Sequence, residues 1–135
     1  MVKKPSVAKL DKLWLELVKQ RAHYSCEYCH KPKGQVQIHT HHIFGRRAFN
    51  TRWDLDNGIA LCSQHHSYSS AFSAHQTPTL FTEWLKKKLG KTWYERLERK
   101  HHIPYKGNRM DILGDLEIAK QELDNRGWHE KGGEK

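Results

Sequence analysis

Four short stretches decide how this chain folds: CEYC at Cys26–Cys29, THHIFGR at Thr40–Arg46, the lone Asn57, and LCSQHH at Leu61–His66. The first and last carry all three cysteines of the chain, and eleven histidines occur in 135 residues. An odd cysteine count excludes a fully paired disulfide framework, and closely spaced thiols in a reducing compartment more often bind metal. Cys26 and Cys29 offer two thiolates from a knuckle, while Cys62 and His65 offer a thiolate and an imidazole three residues apart. Zn²⁺ takes four such ligands in a tetrahedron, and two half-sites distant in sequence close a loop around it. A redox Cys26–Cys29 pair, or Cys62 as a plain buried residue, is the blander alternative, but neither explains two half-sites of matching spacing. Four protein ligands leave no open position, so this zinc is expected to be structural and to supplement a modest core.

Outward from this segment, the N-terminal side reads as one helix over 6–22. Val7, Leu10, Leu13, Trp14, Leu17 and Val18 recur at helical spacing behind Ser6, a good capping residue. VQIHTHHI at 36–43 alternates as a strand, FGRRAFNTRWDLDNG reads as a long polar loop, and IALC as a short buried strand. A helix should start just after Cys62. Thr77-Pro78, the stripe Leu80, Phe81, Trp84, Leu85, Leu89 and the stop at Gly90 define another. Thr92 with Glu95 has the form of a capping box, and Ile112, Leu116, Ala119 and Leu123 mark a last helix ending near Gly127. The polar tail HEKGGEK should fray. The expected architecture is a small α+β single domain over 1–135: an N-terminal helix at 6–22, a zinc-bound core at 24–76, a helical extension at 77–127 and a tail at 128–135.

The formal charge is +9, with 19 basic against 8 acidic residues in 1–106 and 5 against 7 in the remainder. The first three quarters should therefore meet a polyanion. Neither a signal-peptide core nor a membrane-length apolar run is visible, which predicts a soluble, cytoplasmic protein without a membrane partner.

With His65 committed to zinc, His41, His42 and His66 remain around Asn57. Adjacent strand residues face opposite ways, so one of His41 and His42 can hold a metal while the other takes a proton. A histidine pair in a basic protein can also be merely solvated or DNA-facing; His39 shares a strand face with His41 and is a candidate neighbour of the metal, though it reads more simply as a surface or DNA-facing histidine.

These residues resemble the HNH endonuclease pattern in its zinc-bound form, over residues 24–66. The flanking LDKLWLELVKQR and Phe-x-x-Trp-Leu texture is similar to small HNH proteins of bacteriophages and prophages. The resemblance implies a ββα-metal core and metal-dependent hydrolysis of DNA, either nicking or cutting both strands. It implies His42 as general base, Asn57 as the residue orienting the base or loop, and His41 and His66 as ligands of a catalytic divalent ion. Many relatives carry Asp at the position of His41, which leaves Mg²⁺, Mn²⁺, Ni²⁺, Co²⁺ and Zn²⁺ all open. Many also carry Cys where His65 stands.

His75 is the candidate third ligand, but nine residues beyond His66 it lies half a turn off face unless the helix breaks near Ser69-Ser70. Arg46, Arg47 and Arg52 are candidate clamps for phosphates, Arg47 foremost; a solvated basic loop is the ordinary alternative. Lys86, Lys87 and Lys88 read as the wet face of a helix. Beyond DNA, phage packaging or recombination proteins are the partners implied, in the host cytoplasm. The competing class is a noncatalytic zinc module binding DNA or RNA, or an accessory packaging or recombination protein; an RNase or toxin effector ranks below it. Such a module needs only the four zinc ligands and gives no reason for the spacing of the other histidines.

Overall fold

The computed structural model describes residues 3–126. Helix α1 spans Val7–Arg21, and Ser6 caps it by accepting the Lys9 N–H at 3.0 Å. Strands β1 (Ile38–His42) and β2 (Gly58–Cys62) pair antiparallel, with His42 opposite Gly58 and Ile38 opposite Cys62. A short helix α2 (Phe49–Arg52) and a 3₁₀ turn (Leu55–Asn57) lie in the connection. Helices α3 (Pro78–Leu89), α4 (Lys91–His102) and α5 (Arg109–Arg126) follow. The expected frayed tail and the helix end at Gly127 lie outside the described residues. The arrangement is the small α+β core expected: two strands with helices around them and a cysteine–histidine cluster at one end.

Strand alternation assigns the two faces of the hairpin. Thr40 donates its hydroxyl to the Leu15 carbonyl at 3.0 Å and His42 stacks on Trp14, so these residues face α1. His39 and His41 face the other side, where His41 meets Phe81 of α3 edge-on at 5.4 Å. Leu10, Trp14, Leu17 and Val18 of α1 are buried with Ile59, Leu61, Phe81, Leu85, Leu116 and Leu123 in one apolar cluster. Gly58 is required where α1 crosses β2. A Cβ there would come within 2.5 Å of Val18 Cγ2 and 2.7 Å of Trp14 Cζ2.

Three local expectations are corrected. The stretch 44–58 is not a loose polar loop: Thr51, Trp53 and Asn57 are buried in it. Its carbonyls are satisfied from α1, because Trp14 Nε1 donates to Asp54 O at 2.8 Å and Arg21 donates to Leu55 O and Gly58 O at 2.9 and 2.8 Å. The helix expected after Cys62 is a single wide π turn, Gln64–Tyr68, and it ends at Ser69 in an extended conformation. Thr92 caps nothing. Gly90, at φ 101°, both closes α3 by donating to Lys86 O and opens α4 by accepting from Tyr94, which leaves Thr92 inside the helix.

Candidate metal centres and general base

The knuckle reaches β2 through two hydrogen bonds. Glu27 N–H donates to Ala60 O at 2.8 Å, and Ala60 N–H donates to the Glu27 carboxylate at 3.0 Å. This pairing brings Cys26 and Cys29 to the end of β2, where Cys62 is the last strand residue before the π turn. The ligand atoms of Cys26, Cys29, Cys62 and His65 then lie within 4.8 Å of one another. Cys29 Sγ to Cys62 Sγ is 3.9 Å, Cys62 Sγ to His65 Nδ1 is 3.3 Å, and Cys26 Sγ to His65 Nδ1 is 3.9 Å. Tetrahedral zinc with ordinary bond lengths spaces its sulfurs by about 3.8 Å and sulfur from nitrogen by about 3.5 Å, so the cage has the right size.

Electrostatics call for a cation there as well. Burial, together with neighbouring Cys26 and Cys62, pushes the Cys29 thiol up to about 11. Burial would also raise Cys26, but its sulfur accepts the Tyr28 and Cys29 N–H groups at 3.4 Å each and its pKa falls. Thiols crowded this closely ionise together readily only around a positive charge. Tyr28 covers the cluster, stacked on Phe72 at 3.9 Å and edge-on to His65 at 4.7 Å. Nothing in the sequence spacing marks Tyr28 or Phe72 for this duty.

A second group forms from His41, His66 and His75, again with ligand atoms within 4.8 Å. The π turn is what assembles it. After Ser69 the chain reverses, Ser69 Oγ accepting the Ala71 and Phe72 N–H groups at 3.2 Å each. The returning strand is then tied to the turn by Ala74 N–H to His65 O at 2.9 Å and His75 N–H to His66 O at 3.1 Å. His75 Nε2 consequently sits 3.2 Å from His66 Nε2. Burial holds His41 down to about 3 and His66 to about 4, so both rings are neutral at pH 7 and offer lone pairs. Two imidazole nitrogens on one ion are separated by about 3.0–3.4 Å, whether the ion is octahedral or tetrahedral. The set therefore fits a divalent cation, and it contains no carboxylate.

Of the two readings of His39, neighbour of the metal group or surface histidine, the geometry favours the first: its Nδ1 lies 3.0 Å from His66 Nδ1. The alternation that placed it on the His41 face was the available signal.

His42 stands across the sheet from this group. Its ring lies on Trp14 with centroids 4.0 Å apart and 16° between planes, and its Nε2 is 3.0 Å from the Arg52 carbonyl. A carbonyl only accepts, so Nε2 carries the proton and Nδ1 keeps a free lone pair. Burial lowers the His42 pKa, leaving the ring neutral near pH 7. It remains near enough to His41 for a charge on one to depress the other.

Asn57 does not touch His42 through any of its hydrogen bonds. Its Oδ1 accepts Phe44 N–H at 2.8 Å, and its Nδ2 donates to Phe44 O and Thr51 O at 3.0 Å each. Fully buried, it closes the connection between the strands and so fixes where Arg52 presents its carbonyl.

Among the three candidate phosphate clamps, Arg52 is corrected. Its Nε and Nη2 fork onto Asp11 at 2.9 and 2.7 Å, and Nη1 donates to Arg46 O at 3.2 Å, so the guanidinium is already occupied. Arg46 and Arg47 are exposed on the turn following β1.

Residues 26–70, one third of the chain, match the family model for HNH endonuclease, so this segment is similar to the domain of that nuclease family. No curated protein and no solved structure matches the chain. None of the helices among the described residues is long and apolar enough to cross a membrane.

Proposed function

We propose that the protein is a metal-dependent endonuclease that hydrolyses DNA phosphodiester bonds, with His42 as general base and a divalent ion held by His41, His66 and His75. The single observation that supports this most is the state of His42: one nitrogen consumed by a main-chain carbonyl, the other free, on a ring clamped by an indole. A histidine kept merely for solubility or DNA contact needs neither constraint. Cys26, Cys29, Cys62 and His65 would hold the structural zinc. An ion at the three-histidine group would supply charge neutralisation at the scissile phosphate and the departing oxygen. Neutral imidazoles without a carboxylate favour Zn²⁺, Co²⁺, Ni²⁺ or Mn²⁺ over Mg²⁺.

The chain's own groups perform the proton transfer. His42 Nδ1 takes a proton from a water molecule as that oxygen bonds to phosphorus and one P–O ester bond breaks. The departing oxygen takes a proton from solvent, and the imidazolium returns its own. Arg46 and Arg47, exposed beside the strand end, are placed to contact flanking phosphates. The basic balance of residues 1–106 favours a polyanion bound mainly through its backbone, so affinity should fall steeply with salt. Service in a phage or other mobile element, in the host cytoplasm and alongside packaging or recombination proteins, rests on the resemblance of the flanking helices alone.

The test is supercoiled plasmid incubated with purified protein across a panel of divalent ions, beside His42→Ala. Nicked or linear product is expected from the native chain, and a rate lower by about 10²–10⁴-fold from the variant, with zinc content and folding unchanged. Cleavage by His42→Ala at the native rate would remove the base assignment. Salt-sensitive binding without cleavage in every ion would instead identify a noncatalytic zinc module.

A further inference from the structure

Two imidazole nitrogens 3.0 Å apart cannot both present lone pairs, and the contact between His39 Nδ1 and His66 Nδ1 is such a pair. The ring centroids are 5.1 Å apart and the planes 83° apart, so the two rings point nitrogen to nitrogen, which suits a single N–H directed at one in-plane lone pair. The other nitrogen of His66, Nε2, faces His75 Nε2 at 3.2 Å within the three-histidine group. A neutral imidazole has one proton. If His66 is to direct the Nε2 lone pair into that group, its proton must be on Nδ1, and that proton needs an acceptor.

We propose that His39 is that acceptor, a positioning residue that fixes the tautomer and orientation of His66 and thereby strengthens ion binding by His41, His66 and His75. The inference rests on the metal-binding reading above and extends the group to a fourth histidine that touches no ion. The hairpin builds it in. His39 and His41 are two residues apart on one strand and so share a face, opposite Leu61 and Ile59 of β2. His41 reaches the group directly, its ring centroid 5.2 Å from that of His66, while His39 meets His66 from the side opposite His75. Among the described residues no acid joins the cluster, so the orienting partner is an imidazole where a carboxylate commonly stands.

The experiment measures Ni²⁺ affinity calorimetrically on zinc-loaded protein, for the native chain, His39→Asn, His39→Phe and His41→Ala. The Asn Oδ1 occupies nearly the place of His Nδ1 and can accept the same proton; Phe keeps the ring and accepts nothing. His39→Phe should weaken Ni²⁺ binding by about 10–100-fold, the ordinary effect of losing an orienting partner. His39→Asn should restore binding to within about threefold of native. Thermal unfolding and zinc content serve as controls, since a purely structural role would not be rescued by Asn. Unchanged affinity in both His39 variants overturns the inference, because His39 would then be a bystander. Equal loss in both also overturns it, since His39 would then be a direct ligand. If His41→Ala leaves Ni²⁺ binding at the native level, the three-histidine site itself fails, a result distinguishable from either.

Discussion

Asp11 lies in the first helix, well outside residues 26–70, yet it holds the residue whose carbonyl meets His42, the proposed base. Its carboxylate accepts Arg52 Nε at 2.9 Å, Arg52 Nη2 at 2.7 Å and Trp53 Nε1 at 2.8 Å. The main-chain carbonyl of the same Arg52 receives His42 Nε2. Replacing Asp11 by Ala removes all three hydrogen bonds at once. The side chains of Arg52 and Asp11 are 16% and 26% exposed, which places the pair between a surface bridge and a buried one. Surface bridges contribute about 0–1 kcal/mol and breaking a buried pair costs about 3–5 kcal/mol, so about 2 kcal/mol is expected here. For a domain of this length that lowers Tm by about 6–10 °C.

The sign of the pH dependence follows from the carboxyl itself. Arg52's hydrogen bonds lower its pKa, burial opposes them, and the Trp53 bond and the Arg52 charge add to the lowering. A depressed carboxylate stabilises the fold fully above its unfolded value of about 3.9, and that stabilisation is lost as pH falls through the lower folded value. The difference in stability between native and Asp11→Ala should thus be complete at pH 7 and close under strong acid. Plasmid cleavage should fall by about 10–100-fold, because the Arg52 carbonyl no longer holds its place, while Ni²⁺ affinity stays native. A native Tm in Asp11→Ala would refute the energetic estimate. A lowered Tm with undiminished cleavage would refute the idea that this clamp sets the base.

Two further perturbations probe the frame. Gly58→Ala places a methyl against Val18 and Trp14, both fully buried, so overpacking should cost about 1–3 kcal/mol, and displacement of Trp14 from beneath His42 should lower cleavage too; a native melting curve with native activity would contradict the close approach. Stripping zinc with a chelator should abolish cooperative unfolding and near-UV dichroism, because Cys26, Cys29, Cys62 and His65 join the knuckle to the strand end, and an unchanged melt in metal-free protein would show that this cluster is not structural.

Local spacing explains what the sequence could disclose. A C-x-x-C knuckle and a C-x-x-H turn announce a four-ligand cage because their geometry is set within three residues, and the α1 stripe with its Ser6 cap is likewise a local matter. His41 and His42 are separated by strand alternation, which is also local. His75 is different: its approach to His66 depends on the chain leaving the helix at Ser69, and no residue count decides whether a turn widens and breaks. The same holds for Thr92, whose capping pattern is sound in isolation and void once Gly90 takes both helix ends.

Arg52 shows why charge is the least legible property. In sequence it is one of three arginines in a basic loop, chemically identical to Arg46 and Arg47, and all three suit phosphate equally well. What separates them is a carboxylate forty-one residues earlier, delivered by the packing of α1 against the hairpin. That packing spends one arginine on the protein itself, and its reward is a main-chain carbonyl held still beneath His42. Arg46 and Arg47 stay exposed on the turn after β1, a distinction drawn by tertiary structure and by nothing nearer.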